Sequence, residues 1–113
     1  MFMMLMNGNM KQFEVYDVEL DPTVGSEIKK RRPCVIISPD AMNKNLQTVI
    51  IAPLTHTVKG YPSRVPSMVK GQAGEIVLDQ VRAVDKTRLK AKKGSVDKNT
   101  AAQVKAILQT MFS

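Results

Sequence analysis

The 113 residues, 12.5 kDa in all, are enough for one domain with a single modest core. Hydrophobic residues at 43% and charged residues at 24% fit a folded globular chain and exclude a disordered one. Seventeen basic against ten acidic residues give a net charge of +7, which calls for a polyanionic or acidic partner: nucleic acid, an anionic membrane surface or an acidic protein tail.

One cysteine, Cys34, rules out a disulfide within the chain, and with one histidine, His56, it leaves too few ligands for a zinc site of the N/S kind. That composition suits a reducing cytoplasm. No stretch approaches the roughly 20 apolar residues of a membrane span.

In chain order, the opening MFMMLMNGNM has too short an apolar core for a signal peptide, no preceding cation and no small-residue cleavage site. It reads as a flexible leader over residues 1–12, with Met1 or Met10 as the start, and one domain follows over 13–113. EVYDVEL (14–20) alternates as a half-buried strand. Residues 21–31 hold Pro22, Gly25 and a basic run, and so form a loop of a length that usually serves function.

PCVIIS (33–38) is a continuous apolar, β-branched run and hence a buried strand. After Pro39, residues 40–43 suit one helical turn, and Lys44-Asn45 a chain turn. QTVIIAPL (47–54) is a second buried strand, and THTVKGYP (55–62) a loop. The run 63–70 contains Pro66, which places it at a sheet edge or a bulge. Gly71 and Gly74 bracket a turn before the strand EIVLDQV (75–81).

Residues 85–89 suit a short helical turn that leads into the basic stretch 90–93. Asp97 then caps the one long helix, where Val104, Ile107, Leu108 and Met111 form an apolar stripe. The sum is a mainly β chain of about five short strands with a C-terminal helix. Strands so short in so small a chain favour a barrel-like sheet, because closure removes exposed edges.

Three segments carry chemistry. LDPTVGSE (20–27) is followed by RPCVIISP (32–39); VIIAPLT (49–55) is followed by KGYP (59–62); GEIVLDQVRAVD spans 74–85. In type, order and spacing these resemble the MazF/PemK family of toxin ribonucleases along nearly all of residues 14–112. The resemblance implies a small SH3-like β-barrel of the MazF/PemK/CcdB kind with a C-terminal helix, assembled as a homodimer. It also implies cleavage of single-stranded RNA without metal or cofactor, in the cytoplasm. Neutralisation would come from an antitoxin of the MazE/PemI kind whose acidic tail covers the RNA groove. Phosphates and carboxylates would then compete for the same cations, consistent with +7.

Carried over residue by residue, the family's catalytic arginine falls on Arg32, its threonine on Thr55 and the glutamate of GSE on Glu27. The groove's remaining candidates are Lys29, Lys30, Arg31 and Lys59, with Asp79, Gln80 and Arg82 from the third segment. In metal-free cleavage the neighbouring 2′-OH attacks the phosphate in line, leaving a 2′,3′-cyclic phosphate and a 5′-OH. A planar guanidinium suits the charge that grows on the non-bridging oxygens, and a threonine hydroxyl adds a donor. A guanidinium, with a pKa above about 12, is a poor base at neutrality, which leaves Glu27 or a water for the proton.

Two departures from the family stand out: Phe13 occupies a position where glycine is expected, and Ser63-Arg64 follows KGYP where an aromatic is common. His56 sits beside Thr55, but strand alternation turns it to the other face. Cys34 reads as a packing residue. A gyrase-poisoning toxin of the CcdB type shares the barrel but acts through a C-terminal tryptophan, and this chain has none. A non-catalytic RNA-binding barrel would stack bases on aromatics, which make up only 4% here.

Overall fold

The computed structural model describes residues 10–20 and 31–113. Seven antiparallel strands make one curled sheet: β1 (Glu14–Glu19), β2 (Arg31–Ile36), β3 (Thr48–Thr55), β4 (Arg64–Val69), β5 (Gln72–Val77), β6 (Arg82–Asp85) and β7 (Leu89–Ser95). Two helices complete the fold, α1 (Asp40–Asn45) between β2 and β3 and α2 (Lys98–Met111) at the C-terminus. No helix among the described residues is long and apolar enough to cross a membrane.

The strands run in the order β4-β5-β3-β2-β1-β7, and β6 joins β3 beside β5. β3 is thus the spine. Its far edge is shared: Thr48–Ile51 pair with β6, and Leu54 and Thr55 pair with Ile76 and Glu75 of β5. The single-turn 3-10 helix Leu78–Gln80 absorbs the three extra residues between those two ladders.

Both faces of β2 and β3 are covered, which explains their unbroken apolar runs. Val35, Ile37, Ala52 and Leu54 face one cluster, closed by Val104 of α2; Cys34, Ile36, Val49 and Ile51 face the other, with Tyr16, Val18, Val84 and Leu89. Period-two alternation along each strand sorts neighbours to opposite sides.

The strand count exceeds the sequence expectation because β6 and β7 look polar. β7 is exposed after Leu89, and its lysines lie against β1 carboxylates: Lys90–Glu19 at 3.6 Å, Lys92–Glu14 at 2.7 Å and Lys93–Asp17 at 3.5 Å. Cross-strand ion pairs, at about 0.2–1 kcal/mol each, register this edge without apolar alternation. The basic stretch 90–93 is therefore matched within the sheet.

The β4–β5 connection also differs from expectation. Lys70 and Gly71 both have positive φ, 51° and 79°, and form a two-residue hairpin turn, so Gly74 lies inside β5. Pro66 falls in β4, the sheet's edge strand, as its missing N–H requires. α1 runs through Asn45, past the turn expected at Lys44-Asn45, and the buried Lys86 ammonium caps its end by donating to the Asn43 carbonyl.

At the other end of the domain, Asp97 accepts from Thr100 N at 2.7 Å, the expected N-cap of α2. Val104 is fully buried while Met111, at the end of the same stripe, is exposed.

Lys11 and Gln12, assigned by sequence to the leader, bond to Glu14 and to Asp40 and Ile37 respectively. Phe13 has φ 72°, the left-handed region that favours glycine. Its N–H donates to the Ile36 carbonyl at 2.6 Å and its carbonyl accepts from Val96 N at 3.0 Å, which holds a bulky residue where glycine is expected.

Candidate active site

Register decides which side chains meet. Arg32 pairs with Val18 of β1, and Cys34 with Pro53 of β3, so Arg32, Pro53 and Thr55 share one sheet face. Thr55 pairs with Glu75, Pro66 with Glu75, and Arg64 with Val77, which brings Glu75, Val77 and Arg64 onto that same face. At the open end of this face lies a cleft of about 300 Å³ lined by Leu20, Arg32, Pro53, Thr55, Thr57, Lys59, Arg64, Val77 and Gln80.

A larger cleft of about 790 Å³ lies between the two ends of the curled sheet, β4 and β7, over Val15, Pro33 and Leu54. Its walls are mostly apolar side chains and backbone, with Lys70, Lys93 and Asp97 the charged residues among them. Chemistry needs convergent donors, and these gather in the smaller cleft.

Arg32 is half-buried where β2 emerges, and it makes no ion pair among the described residues. Thr55 Oγ1 accepts the Thr57 N–H at 3.1 Å. That bond fixes the hydroxyl oxygen and leaves its proton for an acceptor in the cleft.

The opposite wall is a charge network. Glu75, 2% exposed, accepts from Gly60 N at 2.8 Å, from Lys59 N at 3.1 Å and from Arg64 Nη1 at 3.2 Å. Those bonds, the Gly60 amide first, hold its carboxyl below the usual carboxylate range against the opposing effect of burial. Arg64 Nε also donates to Asp79 Oδ1 at 2.9 Å, and Ser63 Oγ donates to the same atom at 2.8 Å. Asp79 is lowered chiefly by the Arg64 bond, and the Arg64 guanidinium is raised in turn. Behind the cleft, burial pushes the Cys34 thiol up to about 12, and the charges of Arg32 and Arg82 pull the other way.

Of the sequence candidates, Arg32, Thr55, Lys59 and Gln80 line one cleft. Asp79 is exposed and tied to Arg64, and it is not among the lining residues. Arg31 is exposed and, one residue from Arg32 in β2, points to the other face; Arg82 is exposed on β6 and does not line the cleft. His56 is exposed and outside the lining. Glu27, Lys29 and Lys30 lie outside the described residues.

Sequence reasoning assigned no role in the site to Arg64, Glu75 or Thr57. The signal for Glu75 was a carboxylate opening the apolar run EIVL, since a buried charge needs partners. No group of three or more His, Cys, Asp or Glu side chains able to hold a metal occurs among the described residues.

Residues 11–112 match the family described as PemK-like, MazF-like toxin of type II toxin-antitoxin system. The chain is 36% identical over 91 residues to the endoribonuclease MazF of Staphylococcus saprophyticus, covering 74% of each. It is 33% identical over 96 residues to the endoribonuclease toxin MazF of Escherichia coli K12, covering 84% of this chain and 86% of that one. A chain of the MazE–MazF crystal structure (form II) from Deinococcus radiodurans shares the fold, with a TM-score of 0.78 at 24% identity over 91% of this chain and 95% of that one. A mycobacterial endoribonuclease in complex with its cognate antitoxin gives a TM-score of 0.77 at 23% identity, over 91% and 94%. The chain belongs to the PemK-like, MazF-like toxin family of type II toxin–antitoxin systems.

Proposed function

We propose that the protein is the toxin of such a pair, an endoribonuclease that cuts single-stranded RNA at sequence-selected sites without a metal. The observation that carries this reading is the convergence of Arg32 and Thr55 in one cleft of a MazF-like chain. The endoribonuclease relatives support it, and the curled sheet fits an SH3-like barrel left open between β4 and β7.

In the proposed reaction the scissile phosphate sits between Arg32, Thr55 and Lys59. The 2′-OH of the preceding nucleotide attacks the phosphorus in line and expels the 5′-oxygen of the next, leaving a 2′,3′-cyclic phosphate and a 5′-OH. Arg32 bonds the non-bridging oxygens as their charge grows, and the Thr55 hydroxyl donates to the same group. Glu27 or a water takes the 2′-OH proton, and a water gives one to the departing 5′-oxygen. Gln80 faces the bound strand, and Lys29 and Lys30 draw the phosphate chain in.

The solved neighbours crystallised with an antitoxin support an antitoxin partner, and the net charge of +7 favours an acidic one that covers the same cations. We take the protein to act in the cytoplasm as a homodimer. The test is cleavage of a long single-stranded RNA by the wild type, Arg32→Ala and Thr55→Val. The expected result is loss by on the order of 10²-fold or more in each variant with the fold intact. Undiminished cleavage by Arg32→Ala would overturn the site.

A further inference from the structure

Tyr61 lies in the chain between Lys59 and Arg64, which both line this cleft, and its side chain is half exposed, at 50%. The chain has two tyrosines, three phenylalanines and no tryptophan; the other tyrosine, Tyr16, is buried in the core. Arg64, which lines the cleft, lies over the Tyr61 ring with its guanidinium carbon 5.0 Å from the centroid. One face of the ring is therefore backed by a cation, at a distance where the ring quadrupole attracts it.

The backing is rigid. Asp79 and Glu75 hold the Arg64 guanidinium at 2.9 and 3.2 Å. Glu75 also fixes the backbone immediately before the ring through Lys59 N and Gly60 N, and the Tyr61 carbonyl accepts from Arg64 N at 3.0 Å. A buried carboxylate, a guanidinium and three backbone groups thus hold in place a ring that itself remains half in water. Such ordering does little for the core, and it is what a stacking surface requires, because a preorganised ring loses little freedom when a base settles on it.

We propose that Tyr61, backed by Arg64, is a stacking shelf for one unpaired RNA base beside the phosphate held by Arg32 and Thr55, a subsite that rests on the RNA-cleaving reading above. The Arg64 charge is balanced by two carboxylates, so it supports the ring and leaves the phosphate to Arg32 and Lys59, which make no ion pairs among the described residues. Stacking accepts any base, since each has a π face. The shelf therefore fixes where the strand lies and selects single strands over duplex.

The chain's lack of tryptophan supplies the probe. Tyr61→Trp in the Arg32→Ala background places a single fluorophore on the shelf of a protein that leaves RNA uncut. Titration with a mixed-sequence single-stranded RNA, its binding followed separately by anisotropy of a labelled copy, should quench the indole saturably. The same sequence as a duplex should quench it far less. In the cleaving protein, Tyr61→Leu should raise KM by about 5- to 150-fold, the usual worth of one stacked base, with kcat and the thermal midpoint nearly unchanged.

RNA binding without quenching, or Tyr61→Leu with an unchanged KM, would overturn the shelf and leave the ribonuclease reading standing. Quenching by single-stranded RNAs that the parent protein leaves intact whatever their sequence would keep the shelf and remove the ribonuclease reading. No RNA binding at all would remove both.

Discussion

Gly74→Ala tests how tightly β5 sets the position of Thr55. Gly74 lies inside β5, and a Cβ added there would stand 2.4 Å from the Thr55 carbonyl oxygen and 2.6 Å from Val69 Cγ2. An ordinary carbon–oxygen approach is about 3.3 Å, so the two strands must part by roughly 0.9 Å. β5 cannot easily yield, because Glu75 next to it is bonded to Gly60, Lys59 and Arg64. The displacement therefore falls largely on the end of β3 and moves Thr55 relative to Arg32.

Overpacking of this kind costs about 1–3 kcal/mol. For a domain of this size that lowers the thermal midpoint by roughly 5–15 °C. A misplacement near 1 Å costs a rate on the order of 10²-fold. Calorimetry reads the first effect, and RNA cleavage measured well below both midpoints reads the second without interference from unfolding. A variant with the wild-type midpoint and the wild-type rate would refute the close approach of the two strands and the role given to it.

Glu75→Gln should flatten the acid limb of the stability curve. The Glu75 carboxyl is lowered in the folded state, so its contribution is present above its unfolded pKa near 4.5 and is lost as pH falls through the lower folded value. Urea unfolding of the wild type and the variant across the acid range should show the two curves converging as pH falls; a constant gap would count against the network. Val104→Ala removes two carbons from a fully buried site beneath α2 and should cost about 2–3 kcal/mol in urea unfolding, against no change if α2 packs elsewhere. Cys34, buried and pushed up to about 12, should resist thiol reagents in the folded protein and react once denatured; rapid native labelling would contradict its place in the core.

Much of this architecture was legible in the residues. β2 and β3 announce themselves as apolar β-branched runs because both their faces are buried, and Asp97 marks the start of α2 because its carboxylate caps it. β7 was hidden because its alternation is ionic: Lys90, Lys92 and Lys93 look like a solvated run until β1 is laid beside them. Gly74 was read as a turn residue because it stands three residues from Gly71 ahead of the apolar run, whereas its place in β5 lets Thr55 of β3 approach closely.

The site divides in the same way. Arg32 and Thr55 come from motifs contiguous in sequence, and both line the one cleft. Arg64, Glu75 and Tyr61 meet only once β3, β4 and β5 are laid side by side, so no single segment of the sequence shows them together. Arg31 illustrates the converse: next to Arg32 in sequence, it is turned away from the cleft by strand alternation.

Metal-independent cleavage of RNA at the Arg32–Thr55 cleft would show in the chemistry of the new RNA ends. Purified protein is incubated with a long single-stranded RNA in excess EDTA, and the fragments are analysed for their termini. The expected result is discrete fragments with 2′,3′-cyclic phosphate and 5′-OH ends that vanish with Arg32→Ala. Cleavage that EDTA abolishes, fragments with 5′-phosphate ends, or fragments that persist in Arg32→Ala would contradict it.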